Sequence, residues 1–445
     1  MNTRLYPFAI SLICIFSVGM KVWFLYNTVV PLDALLTGDI PLYLELADSL
    51  YEQGQFGTVG PEGFTPNLLR TPGYPAFIVA IRLLVGNSLI PLLLVQAILS
   101  GVICFLVYWL ARRRCPEPFA LLAAMVVAVD PATIHHTLLP LTESLFTLAL
   151  VFAVIALVRW KSSVSLYWLA GSALGLSATV LIRPISMYLV IPLLPFVWRT
   201  ERSWQKTLLY PILWLILFLA PMAGWTLRNA VVAGVPTYCS ISSYSFLLYR
   251  GAGVKAKLEG IPFMEAQSLL KQEMAEAQAA SPLPLRDYLQ AVKQKGLNYV
   301  IQHPIVYARV HLEGMVRALF GPAVCYLSWR LGGTQEGLGI LTALENGNLR
   351  EGLASLPYAR LGVSIVELGF SLALIGFSVW AVWRASRGRD WELVLMGVVC
   401  LYFILISGGP EAGARFRVPI IPFLAVLSSY AFSLWWPGAK RSRGE

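Results

Sequence analysis

The segment Thr37-Gly38-Asp39-Ile40-Pro41-Leu42-Tyr43 carries a carboxylate whose surroundings suit chemistry. A helix starting after Asp39 places Asp39, Tyr43, Ala47 and Leu50 on one face, by intervals of four, four and three. An aspartate there either caps the helix through its first backbone N–H groups or acts as a general base toward a hydroxyl or amine. A second acid, Glu143, opens an apolar run after His135-His136 and Pro140-Leu141-Thr142. It either offsets the macrodipole of that helix or faces a wet cavity, because an acid at that depth is costly without one. Glu143 and His136 are also the candidate pair for a divalent metal. Adjacent imidazoles on a helix diverge by about 100°, so His135 and His136 do not both reach one ion.

Arginines recur beside turns. Arg70 precedes Thr71-Pro72-Gly73-Tyr74-Pro75, and Arg183 precedes Pro184. Arg228 ends Trp225-Thr226-Leu227-Arg228, while Arg415 and Arg417 flank Phe416 ahead of Pro419. A guanidinium binds phosphate in a forked geometry, or snorkels its stem along lipid. The spacing alone fits both. Walker A, Gly-x-Ser-x-Gly, His-Glu-x-x-His and Asp-x-Asp patterns are lacking, and Gly251-Ala252-Gly253 has no strand–helix unit around it. Of the six cysteines, Cys14, Cys104 and Cys400 read as small core residues. Cys239 and Cys325 pair only if their segments face an oxidising compartment.

The elements that position these groups follow from composition. Of 445 residues, 57% are hydrophobic and 13% charged, against about 25% charged in a soluble domain. That excludes a soluble enzyme, a disulfide scaffold and a disordered binder. The net charge of +10 sits in short clusters between apolar runs, which is a signature of membrane orientation and not of nucleic-acid binding. A helix needs roughly 20 apolar residues to cross the hydrocarbon core. The runs give about ten spans: Phe8–Val30, Leu89–Leu110, Phe119–His136, Leu141–Val158, Leu166–Ile182, Ile185–Trp198, Thr207–Leu227, Tyr358–Trp383, Trp391–Ser407 and Phe416–Trp436. The first follows Arg4 without a small-residue cleavage site and is expected to remain as a helix.

With both termini cytoplasmic, this count places every basic cluster inside: Arg112–Arg114, Arg159 with Lys161, Arg199 to Lys206, Arg384 to Arg389, and Lys440 to Arg443. The expectation is an all-α integral membrane protein. Residues 1–436 form one polytopic membrane domain, and 437–445 a cytoplasmic tail. Two long extracytoplasmic loops, 31–87 and 228–357, carry amphipathic helices. The stretch Val306–Leu331 reads as interfacial or re-entrant, since a full span there would put Arg384 outside. Lys21 and Glu367 are deeper charges that can snorkel.

In order, Gly38-Asp39 with Tyr43 and Ala47, Arg70-x-Pro-Gly-Tyr-Pro75, Thr142-Glu143-Ser144-Leu145, Arg183-Pro184, Trp225-x-x-Arg228-Asn229 and Arg415-Phe416 with Pro419 and Pro422 resemble the GT-C membrane glycosyltransferases. The nearest branches are bacterial relatives of dolichyl-phosphate-mannose protein mannosyltransferases and of the lipid A aminoarabinose transferase. The resemblance implies a polyprenyl-phosphate sugar donor, an acceptor that is a glycan, lipid or protein, and a bacterial inner membrane with the active site on its extracytoplasmic side. It implies Asp39 as general base, with Arg415, Arg183, Arg70 and Arg228 on the donor phosphate. Tyr43, Tyr74, Glu143 and Arg417 would line the cavity, with a divalent metal on Glu143 and His136 left open. The sequence departs from both branches in having Ile40-Pro41 where a second acid commonly follows the aspartate, so the acceptor is not borrowed from either. Two other readings compete: a transporter or lipid flippase, and a polysaccharide ligase using a lipid-pyrophosphate donor.

Overall fold

The computed structural model describes residues 5–60, 63–198, 204–333 and 358–436. Arg199, Arg202, residues 334–357 of the second loop and the expected tail 437–445 lie outside the described residues. The chain is a multi-pass helical membrane protein. Among the described residues, six helices are long and apolar enough to cross a membrane: Leu5–Asn27, Leu89–Ala111, Glu143–Ser163, Thr207–Ala233, Gly362–Gly388 and Ala414–Trp435. Three further expected spans are shorter apolar helices, Leu166–Ile182, Pro184–Val197 and Trp391–Ile406.

The remaining one, expected as Phe119–His136, is bent by 52° between Glu117–Val129 and Pro131–Thr137. The cause is local. Pro131 has no N–H to continue the first helix, and the Asp130 side chain accepts from the Thr133 backbone N–H at 2.7 Å, starting a new one. The expected span Phe416–Trp436 also begins differently, as a 3-10 turn over Ala414–Ile420. Pro419 and Pro422 lack the N–H groups that an α-helix would donate to the Arg415 and Val418 carbonyls.

The first of the two long segments between apolar helices, 31–87, holds the helix Ile40–Gln53 and a small antiparallel hairpin that pairs Gly57–Gly60 with Gly63–Pro66. The helix Gly73–Val85 follows. In the second, Phe263–Ala280 and Leu285–Gln302 pack around Leu247, Leu270 and Val292, a small core outside the main one. Val306–Leu331 is broken: Pro304–Phe320 and Val324–Arg330 are separate helices. The break is held from the bundle. Arg417 donates to the carbonyl of Gly321 at 2.7 Å and to Glu367 at 2.7 Å. Glu367 in turn accepts from the backbone N–H groups of Ala323 and Val324. Glu367 therefore does not snorkel, and neither does Lys21, which is fully buried on Ser17 Oγ at 3.0 Å. Cys239 is a free thiol, so it does not pair with Cys325.

Candidate active site

Asp39 occupies the N-cap position of Ile40–Gln53, yet its side chain makes no capping bond. Pro41 in the first turn removes a donor that a cap would use. The carboxylate instead joins Arg70 through Oδ1 and Arg415 Nη1 through Oδ2 at 3.0 Å. Arg415 also donates through Nε to Glu143 Oε1, and Arg183 Nη1 reaches the same oxygen at 3.0 Å. The result is one alternating chain, Arg70–Asp39–Arg415–Glu143–Arg183, of three cations and two anions.

Each member is delivered by a different element. Gly73 brings the Arg70 turn against the end of Leu166–Ile182: a Cβ there would lie 2.6 Å from the Leu181 carbonyl oxygen. Arg183 follows immediately, its backbone extended as residues before proline tend to be. Glu143 is the first residue of its helix and is fully buried, so it also offsets the macrodipole. Arg415 stands at the start of the last span's 3-10 turn.

Burial works to raise the pKa of Asp39, but Arg70 and Arg415 outweigh it and hold the carboxyl below its ordinary value. Asp39 is therefore ionised at neutral pH. The chain keeps unused capacity, because Arg70 Nε and Glu143 Oε2 are buried with no hydrogen-bond partner among the described residues. Tyr43 lies under Arg70, 5.2 Å from guanidinium carbon to ring centroid.

Four expected site residues sit apart from this chain. Tyr74 is fully buried and donates to Gln96 Oε1 at 2.7 Å, tying the Arg70 turn to the Leu89–Ala111 span. Arg417 serves the helix break described above. Arg228 donates to the Phe56 carbonyl at 2.7 Å and lies over the Phe56 and Trp225 rings, so it anchors the hairpin. His136 Nδ1 lies 2.8 Å from the Ala132 carbonyl oxygen, and no group of three His, Cys, Asp or Glu side chains among the described residues suits a metal ion.

The structure adds residues that spacing did not single out. Tyr249 lies within electrostatic reach of Asp39, Arg70, Glu411 and Arg415. It is carried by a π-helical turn, Ser245–Gly251, and a hydrophobic periodicity gives no sign of such a turn. Beside the ion chain opens a cleft of about 560 Å3, walled in part by Thr37, His135, Arg317, Tyr326 and Ala414.

Over residues 69–225 the sequence matches the family model described as dolichyl-phosphate-mannose-protein mannosyltransferase. No curated protein sequence matches the chain. Among solved structures, the archaeal oligosaccharyltransferase AglB from Archaeoglobus fulgidus, in complex with an inhibitory peptide and a dolichol-phosphate, aligns with a TM-score of 0.54 at 14% identity. That alignment covers 98% of this chain and 51% of that one. The apo form of the Archaeoglobus fulgidus oligosaccharyltransferase gives 0.51 at 14% identity, over 99% and 52%. The fold is similar to that of these oligosaccharyltransferases. At such identities the likeness to the solved structures is one of fold, and the chain spans about half their length. The segment matched by the family model contains Arg70, Glu143 and Arg183; Asp39 and Arg415 lie outside it.

Proposed function

We propose that the chain is an inverting glycosyltransferase that moves a sugar from a polyprenyl-phosphate donor to an acceptor on the extracytoplasmic side of a bacterial inner membrane. One observation carries this reading: an ionised aspartate clamped between two arginines, the three residues being brought together from separate parts of the sequence. The family match over residues 69–225 and the GT-C fold support it.

The clamp has a chemical consequence. A carboxylate bound to two guanidinium groups is a poor base. Donor phosphate competes for the same guanidinium forks. As Arg415, Arg70 and Arg183 turn to the phosphate, Asp39 is released to take the proton from an acceptor hydroxyl or amine. The acceptor oxygen or nitrogen attacks the anomeric carbon, the carbon–oxygen bond to phosphate breaks, and the lipid phosphate leaves with its added charge held by the arginines. Glu143 keeps Arg415 and Arg183 oriented throughout. The sugar ends in the opposite anomeric configuration.

The test is transfer by the purified chain in detergent from a panel of polyprenyl-phosphate sugars, with the product anomer read by NMR. Inverted product formed without any sugar nucleotide is expected. Retained configuration, or a strict need for a sugar nucleotide, would overturn the reading.

A further inference from the structure

The cleft beside the ion chain contains none of the five ion-chain residues, yet its wall runs one residue from Arg415, at Ala414, and two from Asp39, at Thr37. Arg317 and His135 are its basic lining residues, Arg317 being held on the carbonyls of Gly409, Pro410 and Ala412, and no Asp or Glu is among its described lining residues. His135 is 5% exposed and stacks on Tyr326, with ring centroids 4.7 Å apart at 23°.

Behind His135 lies Arg330, 1% exposed. Its Nε–H points at His135 Nδ1 from 3.2 Å. A guanidinium N–H can only donate, so Nδ1 carries a lone pair and the ring proton is on Nε2. That Nε2–H has no partner among the described residues. The other bonds of Arg330 go to neutral oxygens, Leu138 O at 3.0 Å and Thr28 Oγ1 at 3.4 Å. No described carboxylate pairs with it. A buried cation without a counter-ion is strongly disfavoured. An anion in the cleft supplies a counter-charge for Arg330 and an acceptor for the His135 Nε2–H.

We propose that this cleft is a second anion subsite, where a phosphate or carboxylate headgroup accepts from His135 Nε2 and sits in the field of Arg317 and Arg330. Tyr326 and Trp329 cover the body of the same molecule. Arg330 is a positioning residue, acting through the tautomer it imposes. The proposal rests on the transferase reading and deepens it: one substrate brings a negative charge to this cleft as well as to the Arg70–Arg415–Arg183 set. The charge comes from the donor lipid phosphate or from an acidic acceptor.

The experiment uses the full chain in detergent and three probes: a polyprenyl phosphate, a glucuronate-bearing disaccharide and its neutral analogue. The chain has four histidines, so imidazole 15N signals resolve His135 individually. One of the two anionic probes is expected to move the His135 Nε2 signal, and the neutral disaccharide to leave it in place. His135→Phe, which keeps a ring against Tyr326, is expected to weaken that probe at least about tenfold. His135→Gln, which keeps a donor, should stay within about threefold. In Arg330→Met the single Nε2–H tautomer should give way to a mixture; should that variant fail to fold, the two His135 variants decide. A response to polyprenyl phosphate assigns the charge to the donor, and a response to the disaccharide assigns it to the acceptor. If neither anion moves His135, or His135→Phe binds both as wild type does, the subsite is wrong. Because binding is read without turnover, a chain that binds anions through His135 but transfers no sugar would fail the transferase reading and leave the subsite standing.

Discussion

Arg415 is the residue on which the ion chain turns, because it touches both acids with different nitrogens. Lysine has one ammonium and cannot bridge them in that forked geometry. Arg415→Lys is therefore expected to lower kcat about 10²-fold, with the folded population unchanged by size-exclusion profile; activity within a few-fold of wild type would mean that the bridge is dispensable. Asp39 supplies a pH test. Its pKa in the folded chain is depressed, so the carboxylate survives as pH falls past the range where a free aspartate protonates, near 4. Activity that depends on it is lost only below that range. The kcat/KM profile of the free enzyme should show no acid limb from this group between pH 5 and 7, and a limb there that disappears in Asp39→Asn would contradict the clamp. Much of this was legible in the residues: Asp39, Arg70, Glu143, Arg183 and Arg415 all stood out by type and position. The role of Arg417 was not, because a guanidinium serving backbone carbonyls looks the same in sequence as one awaiting phosphate. The Tyr74 bond to Gln96 was not legible either, since a tyrosine hydroxyl bonded to a buried glutamine leaves no pattern.

Elements meet at glycines here. Gly73 has no room for a side chain against the Leu181–Ile182 backbone, so Gly73→Ala must push the Arg70 turn away from Arg183. We expect it to destabilise the chain by about 1–3 kcal/mol and to lower the detergent-solubilised melting temperature. A Gly314→Ala change offers a second contact of this kind, against the Gly409 backbone. The positions of the apolar helices followed from hydropathy, since lipid demands long apolar runs with internally bonded backbones. Where the backbone leaves α geometry, hydropathy was blind: the 52° bend at Asp130-Pro131, the 3-10 turn at Ala414–Ile420 and the π-helical turn at Ser245–Gly251. The proline-linked two were marked by Pro131, Pro419 and Pro422, while the third carried no local sign. The hairpin at Gly57–Pro66 was likewise missed, its strands being four residues each and half glycine or proline.

At the scale of the whole molecule, charge sorts to opposite helix ends. Glu143 opens a helix of 21 residues that Lys161 and Ser163 close, about 30 Å of rise. At the Lys161 end Arg113 and Arg114 pair with Glu392 and Asp390, so those cations are neutralised within the protein. At the Glu143 end three arginines share two acids, and Arg330 has no described acid at all. The excess of positive charge on that face is what a lipid phosphate or another anionic substrate would meet. The end that carries the basic clusters was visible in the sequence, whereas the joining of five distant residues into one chain at the other end needed the packing of the spans. The central claim is that Asp39 performs the transfer at that face. The direct measurement is sugar transfer from a polyprenyl-phosphate donor in proteoliposomes sorted by orientation, for wild type and Asp39→Asn reconstituted in equal amounts. The expected result is transfer only to acceptor on the Asp39 side, falling at least about 10³-fold in the variant; full transfer by Asp39→Asn, or transfer to acceptor on the opposite side, would contradict it.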